Sequence, residues 1–493
     1  MGSKIASFRI GRVRAFQRGS VWYLIYYEHG RRHQPRVGRD RAAARQLAAE
    51  VNGQLEVGSP SSLGFQPISI IELRQRWLDQ HEHVRRSSLG TVRRYYAATA
   101  HLLEFLADVR PVGRVSDFRS QHAEEFVCYL RSKKVTPNGH KNARKRKLLD
   151  GGIKYILETC CSLFNYAARH RHLPPYADNP FRTIEVSRIP VEDARPVIAL
   201  SQQQQVELLE ACDDWQFPVF LTLLFTGMRP GELAHLLLPD DLDLETGWLR
   251  IRNKPSLGWQ IKTRNERDIP LMPVLLQVLR RLVRARRSGP VFVQRRCHNG
   301  HSPLLLGRTA TGLAHELARR LDAEEASTVD PLTRETRAAL YRTIWRDLGA
   351  LKEDWLRKEF MQLMQKIDMP EVTATKTLRH TFATTLQDGN VDPLIRNELM
   401  GHAPMSPGTS GTQLGMTAVY THTRPETKRT QLEFALSATL ANTYANRRID
   451  VLKANEAIDR LATGPKWLAG KTRFRDEVNR PDVTTNARRC ESM

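Results

Sequence analysis

The sequence predicts a multidomain, mainly α-helical protein with small β elements: a short N-terminal ββ(β)α module, an all-α block, and a larger mainly α region holding a β-hairpin or small sheet. Three observations carry this. Apolar residues recur at helical spacing through most of the 493 residues. Strand-like alternation is confined to short stretches near the N-terminus and around 247–271. Breaks rich in Pro, Gly and Ser divide the chain, whose length suits about three to four domains.

Residues 1–60 form the first expected unit. "VWYLIYYEHGRRHQPRVG" sets aromatic and β-branched residues before a Gly30 turn and a second extended run, and "DRAAARQLAAEVNGQL" has helical spacing up to Gly53. "VGSPSSLG" (57–64) reads as a linker. An all-α domain is expected over 68–182. It opens with a capping box, Ser69 accepting from the N3 amide and Glu72 reaching back, followed by Ile70, Leu73 and Trp77 on one face. A helix from about Thr91 aligns Val92, Tyr95, Leu102, Leu103 and Leu106. Another, "YILETCCSLFNYAARH", stops at the Pro-rich "LPPYADNP" (173–180).

The third expected domain spans 190–445. Ser201 and Gln204 make a second capping box, and the apolar "PVFLTLLF" runs into a Thr226-Gly227 break. "GWLRIRN" and "WQIKTRNERDIPL" read as the strands of a hairpin, and about 290–370 as an inserted helical subdomain. Residues 446–493 lack strong periodicity and read as a tail.

Charge is the strongest compositional signal: 76 basic against 53 acidic side chains, a net charge of +23. Such a surplus draws polyanions through counterion release, and its clustering favours nucleic acid over a merely basic, solvated surface. Residues 1–60 hold eleven Lys/Arg against four acids, and 131–149 hold eight with no acid. Within the second run Lys133, Lys134, Lys141, Arg144, Lys145, Arg146 and Lys147 are candidate phosphate contacts; a solvated loop is the ordinary alternative. The six cysteines lack metal-type pairing and read as reduced thiols of a cytoplasmic protein. "CHNGH" (297–301) has no second ligand pair and reads as a loop. No apolar run reaches the roughly 18 residues of a membrane span. The first residues show no secretory core, and Ala6 stands where myristoylation of Gly2 would want Ser or Thr.

Several short stretches carry candidate chemistry. "TGMRPGEL" (226–233) puts Arg229 at a helix start, where free amides favour an anion; a turn-capping arginine is the alternative. In "TKTLRHTFATTLQDG" (375–389), Leu378, Phe382 and Leu386 form a buried stripe with Arg379 at its edge. Lys376 lies three residues earlier, so the two cations repel unless an anion lies between them, and Gly389 is expected at the C′ position. "DPLIRNELMGH" has Asp392 as N-cap, Pro393 at N1, and His402 after a terminal Gly401.

Taken in order, these pieces resemble the tyrosine recombinase (phage integrase) family over roughly residues 195–435. The matching positions are Arg229 in TGMRPGEL, Lys262 in IKTRNERDIPL, Lys376 and Arg379 in KTLRH, His402 in LMGH, and Tyr420 in AVYTH. Each box alone is weak; their order is the specific signal. The resemblance implies an integrase catalytic fold preceded by an all-α core-binding (SAM-like) domain and an arm-type DNA-binding module. It implies a site-specific recombinase acting on double-stranded DNA as a homotetramer, without metal or other cofactor, in some members with an accessory DNA-bending protein.

In that chemistry Arg229 and Arg379 would stabilise the non-bridging phosphate oxygens. Tyr420 would attack phosphorus to give a 3′-phosphotyrosine, Lys262 would protonate the departing deoxyribose oxygen, and His402 would hold the phosphate. Two features depart from the family. Lys376 stands where histidine is common and, when charged, cannot act as a base. His402 and Tyr420 are 18 positions apart, with Gly/Ser/Pro/Thr-rich sequence between. Alternatives are a topoisomerase-like relaxing enzyme, or a catalytically inactive integrase-fold protein kept for DNA binding.

Overall fold

Alternating burial along one strand organises the N-terminal module. The computed structural model describes residues 6–463 except 29, 59–60, 62, 64–65, 137–141, 175–176, 195, 285 and 403–422, and only the backbone of 457–463. The chain divides into two units, Met1–Pro196 and Val197–Met493.

In the first unit, strands β1 (Ser7–Ile10), β2 (Val13–Arg18), β3 (Val21–Glu28), β4 (Arg31–His33) and β5 (Arg36–Gly38) form an antiparallel sheet in the order β1-β2-β3-β4, with β5 also on β3. On β3, Trp22, Leu24 and Tyr26 point inward at every second residue. Helix α1 (Arg41–Glu56) lays Ala44, Ala48 and Val51 on this face, and its Asp40 cap accepts from the amides of Ala42 and Ala43. The sheet has more strands than the sequence suggested, because β4 and β5 are three residues each and too short to show a period.

Helices α2 (Ile70–Asp79), α3 (Leu89–Asp108), α4 (Ser120–Ser132) and α5 (Asp150–Arg169) follow. They close around Trp77, Phe105, Phe126, Phe164 and Phe181, all with under 2% of their surface exposed; each contributes roughly 2–3 kcal/mol by burial. Ser69 caps α2 as expected, but the Glu72 carboxylate bonds Arg76 at 2.6 Å rather than reaching back. Two-residue strands β6 (Lys134–Val135) and β7 (Arg146–Lys147) pair within the α4–α5 connection.

The second unit is built on helix α7 (Gln216–Thr226), buried at all eleven residues, as befits a helix apolar on every side. α6 (Gln202–Ala211) precedes it with the Ser201–Gln204 capping box formed in both directions. After the short α8 (Pro230–Ala234) come β8 (Leu237–Leu238), β9 (Leu242–Asp243), β10 (Trp248–Ile251) and β11 (Arg267–Pro270). β9, β10 and β11 make an antiparallel sheet, while β8 pairs β12 (Gly289–Pro290), which lies beyond α9 (Pro273–Val283). Helices α10 (Arg295–His298), α11 (Ala310–Ser327), α12 (Arg334–Asp347), α13 (Glu353–Lys366), α14 (Lys376–Asp388), α15 (Pro393–Met400), α16 (Pro425–Ser437) and α17 (Leu440–Thr463) complete it.

Leu378, Phe382 and Leu386 of α14 join the core around α7. α13 joins it too, through Leu356, Phe360, Leu363 and Met364, whereas α11 and α12 share a smaller cluster with Leu237 and Leu257. Two expectations change. Residues 446–463, read as part of a tail, continue α17, which buries Ala441, Ala445 and Ile449; a stripe mostly of alanines is nearly silent in hydrophobic periodicity. Gly389 is the C-cap of α14 at φ −79°, not a left-handed C′ residue. Residues 464–493 lie outside the described residues.

Candidate active site

The site is assembled where the ends of α7 and α15 meet the start of α8. α7 stops at Gly227, which takes φ +57°; a Cβ there would lie 2.2 Å from the Phe382 ring, so the turn presses directly on α14. Two residues on, Arg229 is the N-cap of α8 with Pro230 in the first turn. The carboxylate of Glu232 closes the cap, accepting from the Arg229 amide and from Arg229 Nη1, both at 2.8 Å.

Glu232 also binds a second guanidinium, which sequence reading did not single out. Arg267 of β11 donates through Nη2 to Glu232 Oε2 at 2.6 Å and through Nη1 to Oε1 at 3.2 Å. The side chains of Arg267 and Glu232 are 4% and 2% exposed, while that of Arg229 keeps 23% open. Burial alone would raise the Glu232 pKa; the hydrogen bond and charge of Arg267, then Arg229, hold it below the ordinary carboxylate value. Glu232 had a sequence signal as an acid at N3 of a capped helix. Arg267 had none: among the cations of "KTRNER" nothing marks which one turns inward.

Arg267 reaches a third element, donating from Nε to the Leu399 carbonyl near the end of α15 at 2.9 Å. Arg379 ties the same parts from α14: Nη1 donates to the Gly227 carbonyl at 2.7 Å and Nη2 to the Met400 carbonyl. Burial, then the positive charge of Arg229, lowers the Arg379 pKa to about 10, leaving it protonated at neutral pH. His402 follows the left-handed Gly401 (φ +63°) and is open to solvent on one side. Its pKa is lowered by partial burial and then by Arg379, Arg229 and Arg267, so the free imidazole is neutral near pH 7.

Thus Arg229, Arg379 and His402 are brought together, with Arg267 and Glu232 beneath them. Two guanidiniums share one carboxylate and a third, Arg379, lies close enough to feel its charge, an excess of positive charge that suits a bound anion. Lys376 is exposed in the first turn of α14, where its charge helps lower the pKa of His380, after burial. Lys262 is exposed in the 252–266 connection; the second strand of the hairpin begins only at Arg267. Its neighbour Thr263 donates to the Gly401 carbonyl at 3.2 Å, tying that connection to the residue before His402. Tyr420 and Lys141 lie outside the described residues. Thr423, three positions after Tyr420, donates to Glu398 at 2.9 Å, and Glu398 also pairs with Lys428 at 2.8 Å.

In the first unit, Lys134, Arg144, Lys145, Arg146 and Lys147 are exposed on and around the β6–β7 hairpin. Lys133 departs from the expected phosphate contact: it is turned into an ion pair with Glu104 and a 3.0 Å bond with the Tyr129 hydroxyl, leaving 17% of its side chain exposed. Among the described residues no group of three or more His, Cys, Asp or Glu could hold a metal ion, and no helix is long and apolar enough to cross a membrane.

Comparison with known proteins bears on residues 199–426, which match the model of the phage integrase family. The tyrosine recombinase XerC of Rhodospirillum centenum is 25% identical over 384 residues, covering 76% of this chain and 92% of that one. XerC of Thermodesulfovibrio yellowstonii is 24% identical over 311 residues, covering 61% and 82%. Among solved structures, the integrase of transposon Tn1549 in complex with a circular intermediate DNA aligns with TM-score 0.41 and 18% identity, over 74% of this chain and 99% of that one. The family match falls on the residues that carry the arginine cluster, so the 199–426 region is similar to the phage integrase family domain.

Proposed function

We propose that this protein is a site-specific recombinase that cleaves and rejoins double-stranded DNA through Tyr420. The observation that carries this reading is the arginine cluster. Arg229 and Arg379 are each fixed by acceptors of the protein, Glu232 for one and two main-chain carbonyls for the other. Guanidiniums so held are preorganised for a phosphate whose charge grows in the transition state.

In the proposed step the Tyr420 oxygen attacks phosphorus, and the bond from phosphorus to the 5′ oxygen breaks. The phenol proton leaves to solvent, favoured by nearby cations, and Lys262 gives a proton to the departing 5′ oxygen. His402, neutral in the free protein, donates a hydrogen bond to a non-bridging oxygen. Lys376 contributes charge rather than base catalysis. A free 5′ hydroxyl reverses the step and rejoins the strand, so neither metal nor nucleotide is consumed.

The remaining roles belong to the same proposal. Residues 1–60 would act as an arm-type DNA-binding module, 68–182 as a core-binding domain contacting phosphates through the β6–β7 hairpin, and 190–445 as the catalytic domain. Assembly as a homotetramer across two duplexes, an accessory bending protein and a cytoplasmic, nucleoid-associated setting follow from the family resemblance. The test is a nicked duplex selected by the protein from a randomised pool. A covalent protein–DNA adduct should form and should vanish in Tyr420→Phe. Tight binding with no adduct would favour the inactive DNA-binding alternative. Mixing Arg229→Ala with Tyr420→Phe would tell cleavage within a subunit from cleavage between subunits.

A further inference from the structure

The 252–266 connection that carries Lys262 is not a free loop. Its first part folds back on itself: the Lys254 and Trp259 backbones exchange hydrogen bonds of 3.0 and 3.1 Å around the turn Pro255–Leu257. That small loop is seated against α12. The Trp345 indole N–H donates to the Leu257 carbonyl at 3.1 Å. The Leu257 side chain is 1% exposed, in an apolar cluster with Leu313 and Leu317 of α11 and Ile344 of α12. Gly258 takes φ +67°, and a Cβ there would lie 2.0 Å from Tyr341 Cδ2, so the Tyr341 ring closes on bare backbone.

An aromatic stack extends this contact toward Arg229. The His235 ring lies between Trp345, edge-on at 4.5 Å, and Trp259, stacked at 4.8 Å. His235 Nδ1 is 2.6 Å from the carbonyl of Gly231, in the same short helix that Arg229 caps. Under the loop, Lys254 pairs with the buried Asp241 at 2.8 Å and lies 5.4 Å from the centre of the Trp259 ring. Past Trp259 the chain is pinned again: the Ile261 amide donates to Asn253 Oδ1 at 2.9 Å. Lys262 therefore stands between a fixed residue before it and Thr263, bonded to Gly401, after it.

We infer that the α11–α12 pair is a positioning element for Lys262: Tyr341 and Trp345 seat the 254–259 loop and thereby set where the lysine presents its ammonium group. This rests on the reading of Lys262 as the acid for the departing oxygen. A lysine side chain has many rotamers, and an acid displaced by about 1 Å can lose about 100-fold in rate. Fixing the main chain on both sides sets the point from which the Lys262 side chain starts and so limits what its ammonium group can reach. On this reading the two helices act through Lys262.

The test uses the full chain and the same nicked duplex, in two versions. One has the ordinary bridging oxygen at the scissile position, the other a bridging sulfur, whose thiolate leaves without needing a proton because thiols are far more acidic than alcohols. Single-turnover adduct formation is measured for wild type, Lys262→Ala, Trp345→Phe and Tyr341→Ala. Trp345→Phe keeps an aromatic face in the cluster but loses the bond to Leu257, so it guards against simple unfolding.

On the oxygen substrate both insertion variants should be slowed by about 10- to 100-fold, and on the sulfur substrate they should match wild type within about threefold, as Lys262→Ala should. Equal slowing on both substrates would make the helices merely structural and overturn the proposal, as would unchanged cleavage of the oxygen substrate. If sulfur fails to rescue Lys262→Ala itself, Lys262 is not the acid and the proposal falls with that reading.

Discussion

The β6–β7 hairpin and the arginine cluster use the same kind of side chain in opposite ways. At the hairpin Arg144, Lys145 and Arg146 are exposed cations on or just before a two-residue ladder, placed to follow a polyanion but not to orient it. In the cluster Arg267 and Arg379 are tied to acceptors on other parts of the chain, and Arg229 to Glu232 of the helix it caps. The first arrangement suits affinity and salt dependence; the second suits discrimination between ground and transition states. A cation's value for catalysis lies in what holds it.

The largest effect should come from removing a held cation that the proposed mechanism sets against the phosphate. Arg379→Ala should slow single-turnover cleavage by about 10³-fold or more with little change in the salt slope of binding; intact cleavage would remove Arg379 from the phosphate clamp. Next comes the cation held but hidden. Arg267→Ala leaves Glu232 without its buried partner, and chemical unfolding of the full chain should show a loss of about 3–5 kcal/mol. A loss near zero would mean that Arg229 alone satisfies the carboxylate.

A smaller change is expected for the free cations. Replacing Arg144, Lys145 and Arg146 together by Ala should weaken DNA binding by roughly tenfold or more and flatten its salt slope by about one for each phosphate no longer neutralised. The cleavage rate of DNA already bound should stay constant. If that rate fell instead, the hairpin would take part in arranging the site and the contrast would be wrong.

The smallest effect concerns His402, held below the ordinary histidine pKa by burial and the three arginines. As pH falls below about 6.5 the unfolded chain takes up this proton first. Its contribution to stability is thus present above that pH and lost as pH falls toward the lowered folded value. His402→Asn should flatten this part of the pH–stability profile; an unchanged slope would mean that the arginines do not press on the ring.

Much of the site was legible in the sequence because its boxes are local. A capped helix start around Arg229 and a stripe of Leu378, Phe382 and Leu386 beside Arg379 need only neighbouring residues to be read. What escaped depends on contacts across the fold. Nothing in "KTRNER" separates the buried Arg267 from the exposed Lys262 and Arg264. Lys133 read as one more member of a basic run, yet its partner Glu104 is 29 residues away. In the fold, strongly apolar α7 is plain, while the part of α17 from residue 446 on reads as tail, the helix's buried stripe being Ala441, Ala445 and Ile449. Hydrophobic periodicity registers the size of apolar groups, and an alanine seam works by letting backbones approach.

Gly401 has a consequence of its own. A Cβ at this residue would fall 2.6 Å from Arg267 Nη1 and 3.0 Å from its Cζ. Since that guanidinium is bound to Glu232 and Leu399 at once, it has little room to yield. The thickness of one methyl group is therefore a dimension of the machine: insert it, and Arg267 must release either the carboxylate that braces Arg229 or the helix that delivers His402. Position 401 works as a gauge, setting a clearance between two parts of the candidate site by having nothing there.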